Sequence, residues 1–424
     1  MHFSPQLLVL LAALPFSLAA PTEKADPAPP APPAEPTPPV APAPPVEPAP
    51  PAEPTLPTEP SPPAEPSPPA EPTPPAEPSP PAEPSPPAEP APPVLPVPHL
   101  PNGTFNPSPE QLQKIEQAAH GTLPGLPLPA NISTHGITNL QLLAFQQFVE
   151  VAFFHELIGN ITRSEPGYGF INDVEREFAL RSLTTILAQE QIHTLTANDA
   201  LKHFGVNPIE PCHYTFPVSN LNDAIDLATT FTAHTLATLQ DITERFATNG
   251  DTGLVRIIAG IIGNKGAQQG YFRVFQDKYP SELPTLTTSH VDFAFTWAQS
   301  FTTPDSCPNV GDIQLRNFKP LEVVTRPEAR THKIKISWTH GPDESQESLL
   351  WVAYINQQNV PVVVPVQVVT CDGTKSTAVA VLPYEEFLLN GLTVAAVVNR
   401  RGPFANAEAV ARATVYGPAL FIVE

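Results

Sequence analysis

Glu190 and His193 stand three residues apart in a run that reads as helix, Ala188-Gln189-Glu190-Gln191-Ile192-His193. On a helix that spacing puts the carboxylate and the imidazole on one face. The face around them is apolar, with Leu183, Ile186 and Leu187 before and Ala197 and Leu201 after. Polar groups on such a stripe cost free energy unless each meets a partner or an ion. Glu-x-x-His is half of the ligand pattern by which helical bundles hold two iron or manganese ions. The full pattern takes a Glu-x-x-His from each of two helices and a Glu from each of two others.

Four long helical stretches could position such a site. The first opens at Thr138-x-x-Gln141, a capping-box pattern, and runs to about Ile158. Leu142, Phe145, Val149, Phe153 and Leu157 recur at helical spacing, and Glu150 sits in that apolar run. A buried Glu is rare unless paired. The second stretch, from Asn172-Asp173 to Phe204-Gly205, carries Glu190 and His193. The third runs from Ser219 to Asn249-Gly250, with Ala224, Leu227, Phe231, His234 and Thr238 as its inward row. The fourth runs from Asp251 to about Lys278 and presents Ile257, Ile261, then Lys265 or Gln268, then Phe272. A shorter helix from Ser289 carries Phe293, Phe295, Trp297 and Phe301. Helices of this length with polar groups at mid-height predict a four-helix bundle with a central site.

Residues 130–308 resemble a ferritin-like domain, and more closely that of the secreted fungal late sexual development proteins. The resemblance rests on Asn139-Leu140-Gln141-Leu142-Leu143 leading to Phe148-Val149-Glu150, and on Ala188 to His193. It also rests on Asn249-Gly250-Asp251-Thr252-Gly253-Leu254-Val255-Arg256 and on Gln268-Gln269-Gly270-Tyr271-Phe272-Arg273. It implies a ferritin-like fold and a role around fungal sexual development or stress. The chain departs from the di-iron pattern in two helices. The third offers His234 where a Glu is required, and the fourth reads Lys265-Gly266-Ala267-Gln268 in place of Glu-x-x-His. Two bridged irons do not suit that set. Glu150, Glu190, His193 and His234 still form a shell acceptable to one zinc, iron or manganese ion. The favoured arrangement has no cofactor: Lys265 or Gln268 replaces the metal by pairing with Glu150 and Glu190.

Residues 309–424 change character. Strand-like runs appear at Val323-Val324, Ile334 to Trp338, Leu349 to Tyr354, Val360 to Val369, Ser376 to Leu382, Leu392 to Val398 and Ala413 to Tyr416. Turns such as Gly341-Pro342-Asp343 separate them. This spacing suggests an antiparallel β-sandwich, and no catalytic grouping stands out within it. The expected fold class is therefore α+β multidomain: a ferritin-like four-helix bundle, then a C-terminal β-sandwich, preceded by a disordered proline-rich region.

That region is unusual in composition. Of 424 residues 61 are Pro, concentrated before residue 101. Ala64 to Pro93 is five consecutive hexads of Ala-Glu-Pro-[Ser/Thr/Ala]-Pro-Pro. Proline fixes φ and removes a donor, so residues 21–98 read as a polyproline II spacer of roughly 200 Å at full extension. A linker follows to residue 129, with a short helix over 109–119 capped by Ser108. Residues 1–20 read as a secretory signal peptide. Asn102, Asn131 and Asn160 head glycosylation sequons. Asp plus Glu number 42 against 21 Lys plus Arg, a net charge of −21. This excludes nucleic acid and anionic membrane surfaces as partners, and no run is long enough to span a membrane. The expected location is extracellular or in a cell wall, with wall polysaccharide or other wall proteins as partners. In that oxidising compartment Cys212 and Cys307, each following a helix, are natural partners. Cys371 could instead pair with either or stay out of a bridge.

Overall fold

The computed structural model describes residues 100, 101, 103–340 and 349–424. The expected signal peptide, the proline-rich spacer, Asn102 and the turn at Gly341-Pro342-Asp343 lie outside the described residues.

In chain order the helices are α1 (Pro109–Ala119), α2 (Thr134–Thr162), α3 (Asp173–His203), α4 (Leu221–Thr248), α5 (Thr252–Phe275) and α6 (Val291–Gln299). Ser108 caps α1 in a reciprocal box with Gln111. The capping box expected at Thr138 does not open α2. Ser133 caps it instead, its hydroxyl accepting from the Gly136 N–H at 2.9 Å, while Thr138 donates to the Thr134 carbonyl. Asp251 decides this. Its carboxylate accepts from the Ser133 N–H at 2.8 Å and from the Ser133 hydroxyl at 2.6 Å, so the starts of α2 and α5 lie side by side. The α6 cap is likewise His290 rather than Ser289.

Two further contacts fix the directions of the long helices. The Leu221 N–H donates to the Gly167 carbonyl, which sets the start of α4 beside the turn between α2 and α3. The connection over residues 204–220 must therefore travel the length of the helices before α4 begins. On the way it is held by a bridge between Tyr214 and Thr302 and by the Cys212–Cys307 disulfide. Cys371 is exposed and outside that bond. The helices share one core in which Phe145, Phe148, Phe153, Phe154 and Phe272 are fully buried. Because α2 is apolar on nearly all sides it lies inside, packed against α3, α4 and α6.

The strands that follow are β1 (Leu321–Val323), β2 (His332–Thr339), β3 (Trp351–Asn356), β4 (Val362–Pro365), β5 (Gln367–Asp372), β6 (Lys375–Leu382), β7 (Gly391–Val398) and β8 (Thr414–Val423). Short helices α7 (Tyr384–Phe387) and α8 (Ala407–Ala413) flank β7. They form two antiparallel four-stranded sheets, ordered β1-β2-β6-β5 and β4-β3-β7-β8. The run Val360 to Val369, read from sequence as one strand, is two. β4 pairs with β3 and β5 with β6, so the chain changes sheet near Val366. Pro361 and Pro365 suit this switch, since proline is tolerated at an edge strand but not inside a sheet. Ile334, Ile336 and Trp338 of one sheet share a core with Val352, Tyr354 and Val397 of the other. The opposite face of β3 and β7 packs on Phe293 of α6 and on Val410 and Ala411 of α8. Buried on both sides, β7 needs no polar face, which explains the unbroken run Leu392-Thr393-Val394-Ala395-Ala396-Val397-Val398.

Candidate functional site

The polar residues at mid-height converge on one ammonium group. Glu150 comes from α2, Glu190 from α3 and Lys265 from α5, and all three are fully buried. Lys265 Nζ donates to Glu150 Oε2 and to Glu190 Oε2, each at 2.6 Å. The Thr235 hydroxyl of α4 donates to Glu150 Oε1 at 2.7 Å. His193 Nδ1 lies 3.2 Å from Glu190 Oε2, with its ring at the margin of the cluster and 7% exposed. Glu190 Oε1 has no hydrogen-bond partner among the described residues. Each residue reaches the centre because it replaces an apolar side chain on the inward row of its helix. Lysine can do so because its long stem packs like a hydrocarbon.

The two carboxyls differ. Burial pushes Glu150 up; Lys265 opposes this only in part, and the Glu190 charge adds to it. Burial also acts on Glu190, but Lys265 and His193 together outweigh it and hold that group at about 2. Burial disfavours the Lys265 ammonium, yet the two facing carboxylates overcome it and push the group above its ordinary value.

His234 does not join the cluster. Its Nε2 lies 3.1 Å from the Ser289 hydroxyl, and its ring meets Trp297 edge to face. Without a charged partner, burial lowers it to about 3 and keeps the imidazole neutral. Phe231 and Thr238 lie on the inward row as read from the sequence, but Thr235 rather than His234 reaches the cluster. Burial does not distinguish the two, since His234 and Thr235 are both buried. Gln268 also turns elsewhere. Its amide donates to Gln189 and Asn264, each at 3.1 Å, beside the cluster. Asn131 is exposed just before α2, and Asn160 is partly exposed in its last turn.

The donor set does not suit a metal ion as it stands. An ammonium holds the point between the two carboxylates, and His234 faces another helix. What the geometry does supply is an amine, two carboxyl groups, a hydroxyl donor and an imidazole, in contact and away from water.

Sequence reasoning missed a second feature. Where α2, α4, α6 and α8 meet lies a cavity of about 720 Å³, lined by His135, Arg245, His290, Asp292, Arg316 and Arg412 among others. Asp241, whose carboxylate accepts from the Val291 N–H, stands beside it. Burial pushes Asp241 up to about 7 and holds His290 at about 4. Its lining runs from residue 135 to residue 412, so no local motif announces it.

No family model matches the chain, and no curated protein matches it. Among solved structures, a ferritin-like, diiron-carboxylate protein from Bacillus anthracis str. Ames aligns with 34% of this chain and 99% of its own. The identity is 15% and the TM-score 0.29.

Proposed function

We propose that the chain is a secreted, glycosylated cell-wall or surface protein built on a ferritin-like four-helix bundle that works without metal. Helices α2 to α5 within residues 130–308 are the bundle, and residues 309–424 are a β-sandwich carried on it. The proline-rich stretch is the acidic spacer that presents them. The observation that carries this reading is the Lys265 ammonium at 2.6 Å from both Glu150 and Glu190. A fixed internal cation does for the two carboxylates what a bridging ion would otherwise do. It has no open coordination position and no redox chemistry, so the centre holds helices together rather than turning over a substrate. The disulfide supports an oxidising compartment, and no described helix is long and apolar enough to cross a membrane. The likeness of four sequence stretches to the fungal late sexual development proteins supports a developmental or stress-linked setting, with wall polysaccharide or wall proteins as partners.

Elemental analysis of the full-length secreted protein, produced in medium replete in iron, manganese and zinc, tests this. The expected result is a substoichiometric content of all three and a melting temperature unchanged by chelator. One tightly held ion per chain, with a melting temperature that chelation lowers, overturns the reading. It would favour a single-metal ferritin-like protein or oxidase using Glu150, Glu190, His193 and a reoriented His234.

A further inference from the structure

We propose that Lys265 and Glu150 condense to an internal isopeptide bond that ties α5 to α2. The inference rests on the metal-free reading and assigns that centre a chemistry. Four observations support it. The Lys265 amine nitrogen is within 2.6 Å of the oxygen it would displace, Glu150 Oε2. The other oxygen, Oε1, accepts a hydrogen bond from Thr235 at 2.7 Å and is the atom on which negative charge develops during attack. A second carboxylate, Glu190, touches the same amine at 2.6 Å and can carry protons from it. His193 contacts Glu190 and has its ring at the margin of the cluster, which gives the proton a way out.

The charges also favour condensation. Burial drives Glu150 toward its protonated form, while Lys265 and His193 keep Glu190 ionised. The step starts from protonated Glu150, ionised Glu190 and the Lys265 ammonium. Glu190 takes a proton from Nζ, and the freed lone pair attacks Glu150 Cδ. The carbonyl electrons move onto Oε1, held by Thr235. Glu190 returns its proton to Oε2, the Cδ–Oε2 bond breaks, and water leaves. Nζ gives a second proton to Glu190. The products are an amide, one water and protonated Glu190, which releases its proton through His193. Nothing is oxidised or reduced. The amide replaces a buried ion pair with a neutral group. Its N–H faces Glu190 and its carbonyl faces Thr235, so both are satisfied. The 2.6 Å contact keeps amine and acid together, so the amine need only swing from Oε2 toward Cδ to attack, which raises their effective concentration.

The test is a tryptic digest of denatured, reduced and deglycosylated full-length protein, read by mass spectrometry. The expected result is no cleavage after Lys265. The peptides holding Glu150 and Lys265 should appear as one branched species, one water lighter than their sum. Glu150→Ala should restore cleavage after Lys265. Thr235→Val should slow formation of the branched species by roughly a hundredfold, the effect of losing one oxyanion donor. Efficient cleavage after an unmodified Lys265 in the wild-type digest overturns the proposal, whatever the variants do. If that protein is also free of metal, only the cross-link fails. If it carries a stoichiometric ion, the metal-free reading fails with it.

Discussion

Measured against chains in which the Lys265 amine is still free, replacing Lys265 with Met should lower the unfolding free energy by about 3–5 kcal/mol at neutral pH, the cost of leaving a buried charge without its partner. Met approximates the volume of the lysine stem, so the loss is electrostatic rather than a cavity. Glu150 and Glu190, both buried, would face each other with no cation between them. Two outcomes separate this from a packing defect. The triple variant Lys265→Met, Glu150→Gln, Glu190→Gln should recover most of the loss, because no charge remains to be compensated. The single variant should also approach wild type as pH falls. Without Lys265 both carboxyls lie above their unfolded values, so protonation stabilises the variant. Wild type meanwhile loses the contribution of Glu190 as pH falls from about 4 toward its folded value of about 2. A related arm is Lys265→Glu, which adds a third carboxylate and should be rescued by added iron(II) or manganese(II). Urea unfolding of the single variant that matched wild type within about 0.5 kcal/mol would show the ammonium to be incidental.

The second large effect is expected at the disulfide. Cys212 and Cys307 are separated by 95 residues, and chain-entropy arguments give ~4–5 kcal/mol for a loop of that size. Cys212→Ala should cost about that much, a large share of the roughly 5–15 kcal/mol that holds an ordinary domain folded. The enclosed loop contains α4, α5 and α6, so the bond restricts much of the helical region in the unfolded chain. Cys371→Ala should change stability little, since Cys371 is exposed on β5. Reductant added to wild type should reproduce the Cys212→Ala curve. A loss under about 1 kcal/mol, or peptide mapping that joined Cys371 to either partner, would contradict the assignment.

How far the sequence revealed all this depends on range. The long helices and the residues Glu150, Glu190, His193 and Lys265 were visible because helical periodicity is local, and a polar residue breaks an apolar row conspicuously. Which of two adjacent polar residues on α4 points inward was not visible. His234 and Thr235 differ by 100° around the helix, and the choice depends on how Trp297 and Ser289 of distant segments pack against His234. The start of α2 was misplaced for the same reason. Thr138 has good local capping chemistry, but Asp251, more than a hundred residues away, fixes Ser133 in the cap. The split of residues 360–369 into two strands follows from pairing partners on separate sheets, which an apolar run does not encode. The cavity beside Asp241 assembles residues from four helices and has no local signature at all.

The burial of β7 on both faces bears on how the chain comes apart. Ala353, Ile355, Val394, Ala396 and Val398 meet Phe293 and the α8 side chains on one side, and Leu392 meets Ala233 and Ala237 of α4. A sheet cut away from the helices would expose that apolar surface to water, and the helices would lose the wall that covers α4 and α6. The two regions are thus thermodynamically coupled, so that melting of one removes support from the other. Helices and strands should therefore unfold as one cooperative unit, and a break placed between them should yield two sticky fragments rather than two independent modules.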